Sequence, residues 1–347
     1  MFTDTKQTDR TALQRQNRRI QRLKSQGVNR STVFVHDDCK AVLDDLRPLF
    51  VDPKRAGALS ELVLDLEDQT KPTNVAQVNQ LSPFRYPGGK TWLVPEIRGW
   101  LRTLRSMPDV FVEPFAGGAI AGLTAASEEL TFSVVLSELD DDVASVWRTV
   151  FHGTDEEVKW LCRRIASFEV TLENVQKVLA SDPGTDAARA FRTIIKNRMQ
   201  RGGIMAPGAG LVKSGEAGRG LGSRWYPETL SARIAVLRTL RDRITFLHCD
   251  AFFTIGQFIA NPNACFFIDP PYTAGGKKAG SRLYSHNEID HVALFALMAE
   301  ACGSVMLTYD DTPEIRGLAK KHGFRVQTVP MKNTHHEVIR ELLILKP

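Results

Sequence analysis

The stretch Ala264-Cys265-Phe266-Phe267-Ile268-Asp269-Pro270-Pro271-Tyr272 decides how this chain is read. Five apolar residues that run into two prolines predict a strand buried on both faces, as in a parallel sheet covered by helices. Asp269 then stands at the carboxyl end of that strand, where open α/β sheets place their ligands. Pro270 and Pro271 fix two successive φ angles and donate no N–H. The turn therefore presents a carboxylate, the carbonyl of Pro270 and the aromatic face of Tyr272. A planar base with an exocyclic amino group needs two hydrogen-bond acceptors and a surface to stack on, and this turn offers all three. A plain strand-to-turn junction with a capping Asp has the same local sequence, so the other strand ends carry weight.

From residue 81 onward, apolar runs alternate with helical patterns, the signature of an α/β domain. Strands are predicted at 110–113, 132–136, 244–248, 266–268, 304–307, 325–329 and 338–345, the last two antiparallel. Phe115-Ala116-Gly117-Gly118 follows the first strand, and its glycines let the backbone approach a ligand and open a helix whose N-terminus attracts a carboxylate. Glu138 closes the second strand, about 20 residues after Gly117, the offset at which an acid grips a ribose diol in nucleotide-binding βαβ units. A helix N-cap is the alternative use of Glu138. Asp250 closes the third strand and can accept from an adenine amino group. A ligand with a carboxylate, a ribose and an adenine would engage these three ends and leave Asp269 for an acceptor substrate. S-adenosyl-L-methionine has those parts. Upstream, Tyr86-Pro87-Gly88-Gly89-Lys90 precedes a helix that starts near Trp92. The glycines permit a tight turn, Lys90 can neutralise a carboxylate, and Tyr86 can pack on an adenine or sulfonium face. A structural turn with a surface lysine is the plainer alternative.

The chain has 347 residues, 43% hydrophobic and 24% charged, which fits a soluble protein of one large or two ordinary domains. No apolar stretch approaches the roughly 18 residues of a membrane span, and the polar, basic N-terminus has no apolar leader. A cytoplasmic protein with no membrane partner is expected. Cys39, Cys162, Cys249, Cys265 and Cys302 are scattered, which predicts reduced thiols and no metal site. The net charge of +5 is unevenly placed. Residues 1–30 carry eight basic residues against Asp4 and Asp9, and residues 186–243 carry twelve against four, so the remaining body is acidic. Two basic segments on an acidic body suggest contact with a polyanion. Solvated helices of ordinary surface charge are the alternative.

Taken in order, Arg85-Tyr86-Pro87-Gly88-Gly89-Lys90, Phe111-Val112-Glu113-Pro114-Phe115-Ala116-Gly117-Gly118, Leu136-Ser137-Glu138-Leu139-Asp140, a long insertion, Cys249-Asp250-Ala251-Phe252 and Asp269-Pro270-Pro271-Tyr272 resemble the Dam-like (alpha-group) N6-adenine DNA methyltransferases, over about residues 81–347. The resemblance implies an α/β fold: a Rossmann-like S-adenosylmethionine-dependent methyltransferase sheet (81–151 and 241–347) with a helical target-recognition insertion (152–240); the charge and pattern of residues 1–75 make them a basic N-terminal accessory segment. It implies site-specific methyl transfer to adenine N6 in double-stranded DNA after base flipping, as in restriction-modification. Tyr86, Gly89, Lys90, Phe115, Gly117, Glu138 and Asp250 would line the cofactor site, and Asp269, Pro270 and Tyr272 would hold the flipped adenine. Asn197-Arg198 resembles a pair in the family's recognition insertion and, with Arg201 and Arg224, would contact DNA. An RNA adenine methyltransferase and a DNA-binding regulator with an inactive body are the alternatives.

Three departures from the family pattern stand out: Ala119 where its loop usually has a last glycine, Tyr86 where tryptophan is common, and Arg198–Pro227, which does not resemble its usual recognition hairpin. Residues 1–67 read as a basic helix, a short strand at 32–36 and two amphipathic helices, a loose resemblance to a ribbon-helix-helix module. A lone strand leaves its backbone groups unpaired, so that reading implies a homodimer built through this segment. A helical arm packed on a monomeric body is the alternative.

Overall fold

The computed structural model describes residues 78–85, 89–206, 208–215, 218–271, 289–332 and 338–346, with the single positions 21, 73 and 75. The chain divides into two compact units, Met1–Lys71 and Pro72–Pro347. The helix, strand and dimer expectations for the N-terminal segment lie outside the described residues, as do Tyr86 and Tyr272.

Seven strands form one sheet: β1 (Val110–Glu113), β2 (Ser133–Ser137), β3 (Ile244–Leu247), β4 (Ala264–Ile268), β5 (Ser304–Asp310), β6 (Arg325–Lys332) and β7 (Val338–Leu345). Their order is β3-β2-β1-β4-β5-β7-β6, with the first five parallel and β7 antiparallel to both of its neighbours. The seven strands expected between residues 110 and 345 are all present. The apolar run of the third-from-last forecast stops at Leu307, but β5 continues to Asp310 because Thr308, Tyr309 and Asp310 pair with Leu343, Leu342 and Glu341 of β7. A ready-made partner strand extends pairing past the point where hydrophobicity ends.

The sheet is buried on both faces, and the period-2 alternation of its strands sorts the core in two. Phe111, Val134, Leu136, Phe246, Cys265, Phe267 and Met306 face one side. There they meet α1 (Val94–Thr103) through Ile97 and Leu101, and α2 (Ile120–Ser127) through Ala121 and Leu123. On the same side lies α3 (Asp141–Trp147). Val112, Phe266, Ile268, Val305 and Leu307 face the other side.

The insertion supplies α4 (Asp155–Ala166), α5 (Leu172–Leu179), α6 (Asp186–Met199) and α7 (Pro227–Thr239). A capping box at Thr154 and Glu157 starts α4, and Thr171 and Thr185 cap α5 and α6. Its buried Leu161, Ile165, Phe191, Ile194, Leu230 and Ile234 are continuous with the core on the first face of the sheet. The far face is covered by α8 (Ala251–Phe258), α9 (His291–Glu300) and α10 (Pro313–Lys321).

The chain steps outward from β1 to β2 to β3, then returns so that β4 lies beside β1 and β5 continues the opposite way. The switch point is the crevice between the carboxyl ends of β1 and β4, where sheets of this kind bind ligands.

Candidate active site

On one flank of that crevice is the loop after β1. Ala116 N–H donates to the Ser137 carbonyl at 2.9 Å, Ser137 Oγ donates to the Pro114 carbonyl at 3.1 Å, and the Trp147 indole donates to the Gly117 carbonyl at 3.0 Å. These bonds clamp the loop between β2 and α3. Gly117 has φ 45°, a left-handed conformation natural to glycine. Ala119 has φ 53°, the same region, and carries a Cβ that costs about 1–2 kcal/mol there. The departure from glycine noted in the sequence thus falls at a strained residue, the N-cap of α2.

Glu138 receives this loop. Its Oε2 accepts from Gly117 N–H at 2.9 Å, and its Oε1 accepts from Leu139 and Asp140 N–H, both at 2.9 Å. Burial pushes its carboxyl up to about 7, against the backbone donors and with the Asp140 charge. Three of roughly four lone-pair sites on the carboxylate are used, which leaves room on Oε2 for one more donor, such as a ribose hydroxyl. Asp250 caps α8, its Oδ1 accepting from Phe252 N–H at 2.8 Å, and it is exposed at the end of β3. Gly117, Glu138 and Asp250 therefore stand in a row over three adjacent strands, with Phe115 half-buried beside them.

Asp269 stands on the other flank. Thr308 Oγ1 donates to its Oδ1 at 2.7 Å, and the Lys90 ammonium lies 2.9 Å from the same oxygen. Lys90 opens a 3-10 turn that Gly89 caps and is buried, its ammonium also 3.6 Å from Glu341 Oε2 on β7. Lys90, expected from the sequence to line a cofactor site, pairs in this fold with Asp269. Pro270 is buried. Glu113, at the end of β1, accepts from Gly122 N–H through Oε2 at 2.6 Å. Burial pushes its carboxyl up to about 8, and the Asp269 charge adds to the effect. A Cβ on Gly122 would come within 2.8 Å of that Glu113 oxygen, so the glycine makes room for the buried acid.

Sequence reasoning passed over Glu113, Thr308 and Glu341. Glu113 lay inside the Glu-Pro-Phe-Ala-Gly-Gly motif, and Glu341 had a signal of its own, an acid beside Arg340 in a strand whose other residues are apolar. Nothing in the sequence marked Thr308. Among the described residues no group of His, Cys, Asp and Glu is arranged to hold a metal ion, and no helix is long and apolar enough to cross a membrane.

The four residues expected to contact DNA separate into two pairs. Asn197 and Arg198 are 1% and 4% exposed, and their side chains hold protein backbone, so base or phosphate contact is not what they do in this fold. Their expected DNA contact rests on the family resemblance, and nothing in an Asn-Arg pair near a Gly-rich loop marks burial. Arg201 is exposed and Arg224 half-buried. Of the other basic residues in this segment, Arg189, Arg192, Lys196, Arg238, Arg241 and Arg243 sit in ion pairs with Asp141, Asp142, Asp155 and Glu129. Much of the charge that suggested a polyanion surface is answered within the fold.

Neither a protein-family profile nor a curated protein matches the chain. Among solved structures, it is similar to a provisionally assigned RNA methyltransferase from Pyrococcus horikoshii (12% identity, 82% of this chain and 96% of that one, TM-score 0.33). It is similar also to a precorrin-6y C5,15-methyltransferase from Geobacter metallireducens (10%, 72% and 86%, 0.28) and to a SAM-dependent methyltransferase from Agrobacterium tumefaciens (11%, 74% and 61%, 0.34). With values this low, the strand order of the chain itself defines the fold.

Proposed function

We propose that this chain transfers a methyl group from S-adenosyl-L-methionine to the N6 of adenine in DNA. The observation that carries this reading is the placement of a glycine loop and an acid-held turn on the two flanks of one topological switch point. Gly117, Glu138 and Asp250 line the ends of β1, β2 and β3, and Asp269 lies across the crevice at the end of β4. At about 4.8 Å between neighbouring strands the row from β1 to β3 spans roughly 10 Å, within the reach of an extended nucleoside with a polar tail.

The donor set fits such a ligand. Gly117 and Phe115 would flank its amino-acid end, the remaining acceptor site of Glu138 would take a ribose hydroxyl, and Asp250 would accept from its adenine amino group. The bound cofactor supplies a methyl activated on a sulfonium. Asp269 does the work on the acceptor side. Its carboxylate, oriented by Thr308 and Lys90, would accept one N6–H, and the Pro270 carbonyl the other. Two acceptors at one nitrogen favour a pyramidal amine with its lone pair aimed at the methyl group. Catalysis is then positioning plus fixed electrostatics. Tyr272 would supply the stacking face. The base must leave the duplex to enter the crevice, and exposed Arg201 and half-buried Arg224 would contact the strand that delivers it.

Expression in a methylation-free host, with modified bases mapped by single-molecule sequencing, tests the proposal. N6-methyladenine at a fixed motif is the expected result. Parallel assays on duplex DNA and structured RNA with labelled cofactor separate the substrates. Transfer to RNA alone, or cofactor binding without transfer, would overturn it.

A further inference from the structure

The insertion grips the segment that leads into Lys90, and it does so with side chains the proposed chemistry leaves unused. Asn197, near the end of α6, accepts from Arg85 N–H through Oδ1 at 2.9 Å. Its Nδ2 donates to the Arg85 carbonyl at 3.2 Å and to the Gly203 carbonyl at 3.0 Å. One side-chain amide thus pairs with both backbone groups of a single residue, as a neighbouring strand would. Arg198 donates to the Pro83 carbonyl, and Arg233 of α7 donates to the Ser82 carbonyl at 3.1 Å. Gly203 has φ +74°, and a Cβ there would lie 2.0 Å from the Arg85 carbonyl oxygen, so the loop after α6 is pressed against the same residue.

The grip is costly to maintain. Arg198 is 4% exposed and its Nε has no hydrogen-bond partner among the described residues. Burial, together with the charges of Arg233, Arg85 and Arg224, holds its guanidinium down to about 9. A buried cation placed among other cations and tied to a carbonyl is an expensive way to fill space, and an apolar side chain would do that with less penalty. What the arrangement secures is the path of residues 82–85. Five residues beyond Arg85 stands Lys90, whose ammonium meets Asp269 at 2.9 Å.

We propose that Asn197 is a positioning residue, which clasps residue 85 to the insertion and thereby sets where Lys90 meets Asp269. The proposal rests on the methyl-transfer reading of Asp269. It makes alignment of the acceptor carboxylate depend on the shape of the insertion that would hold the substrate.

Asn197→Ala removes the clasp from one side, and Gly203→Ala pushes on Arg85 from the other. Amide hydrogen exchange in the cofactor-free protein reads the clasp without any activity. Both variants should speed exchange at residues 82–85 by about tenfold or more, the effect of losing one well-made buried hydrogen bond, with β4 unchanged. Transfer assays with S-adenosylmethionine and duplex DNA should show kcat lowered about tenfold or more, with affinity for both kept within about twofold, the pattern of a lost transition-state interaction. Unchanged exchange or unchanged kcat would overturn the proposal. So would faster exchange throughout the sheet, or failure of both variants to fold, since the pair would then be a general folding element. Absence of transfer by the unaltered protein would instead overturn the function, and the exchange measurement would still decide the clasp.

Discussion

The Lys90 ammonium lies 2.9 Å from Asp269 Oδ1 and 3.6 Å from Glu341 Oε2, and the lysine side chain is only 3% exposed. A lysine at the end of a glycine turn, an acid at the end of a parallel strand and an acid inside an antiparallel strand therefore meet at one buried ammonium. Buried charges of this kind are tolerated only when each is answered, and removal of one partner is felt by the others. The Asp269 carboxylate is accordingly held in place by Lys90 and Thr308.

Asp269→Ala should retain S-adenosylmethionine binding and lose methyl transfer, by on the order of several kcal/mol in barrier, because its contacts lie on the acceptor side of the crevice. Calorimetry for binding and labelled-methyl transfer for rate separate the two. Near-normal turnover would sink the assignment.

Glu138→Ala should weaken cofactor binding by about 1–3 kcal/mol, since Gly117, Leu139 and Asp140 N–H lose their acceptor as well as the ribose its partner. Unchanged affinity by titration calorimetry would rule out the role.

Glu113→Gln tests the buried acid through pH. In the unfolded chain this carboxyl ionises near 4.5, and in the fold burial raises it to about 8. A raised value means that its stabilising contribution is complete below pH 4.5 and is lost as pH rises towards 8. Glutamine does not titrate, so the variant should gain stability relative to the unaltered protein between pH 5 and pH 9, on the order of a few kcal/mol. Urea unfolding at the two pH values measures the difference, and a constant difference would contradict the assignment.

Gly122→Ala and Ala119→Gly, three residues apart, should differ in effect. A Cβ on Gly122 would approach Leu136 Cδ2 to 2.6 Å and Glu113 Oε2 to 2.8 Å, so that change should destabilise by about 1–3 kcal/mol. Glycine at 119 relieves a left-handed alanine while adding unfolded-state entropy, and the two effects of about 1 kcal/mol each leave stability nearly unchanged. Thermal unfolding of both variants decides, and equal losses would show that the strain at Ala119 is illusory.

Arg201→Glu should weaken DNA binding and reduce its salt dependence, as expected for an exposed cation near phosphates, or relax the methylated motif if the side chain reads a base edge. If sites, rate and salt slope are all unchanged, the DNA surface lies elsewhere.

What the sequence determined by itself is whatever depends on local pattern. Apolar runs and their punctuation placed β1, β4 and β7, and the tool at each strand end followed, because a residue after a buried run has little choice but to stand at the sheet's edge. The glycine loop, Glu138, Asp250 and Asp269 were legible for that reason. The tertiary structure decided whatever depends on partners distant in the chain. Lys90 turned towards Asp269 and Glu341 because β4 and β7, on either side of β5, bring those carboxylates to its side of the crevice. Asn197 and Arg198 went inside because residues 82–85 offered backbone groups to satisfy, and Arg189, Arg192, Lys196 and Arg238 met acids from α3 and α4. Charge and polarity can be counted along a chain, but whether a charged side chain faces water, a carboxylate or a carbonyl is fixed only when the chain closes on itself.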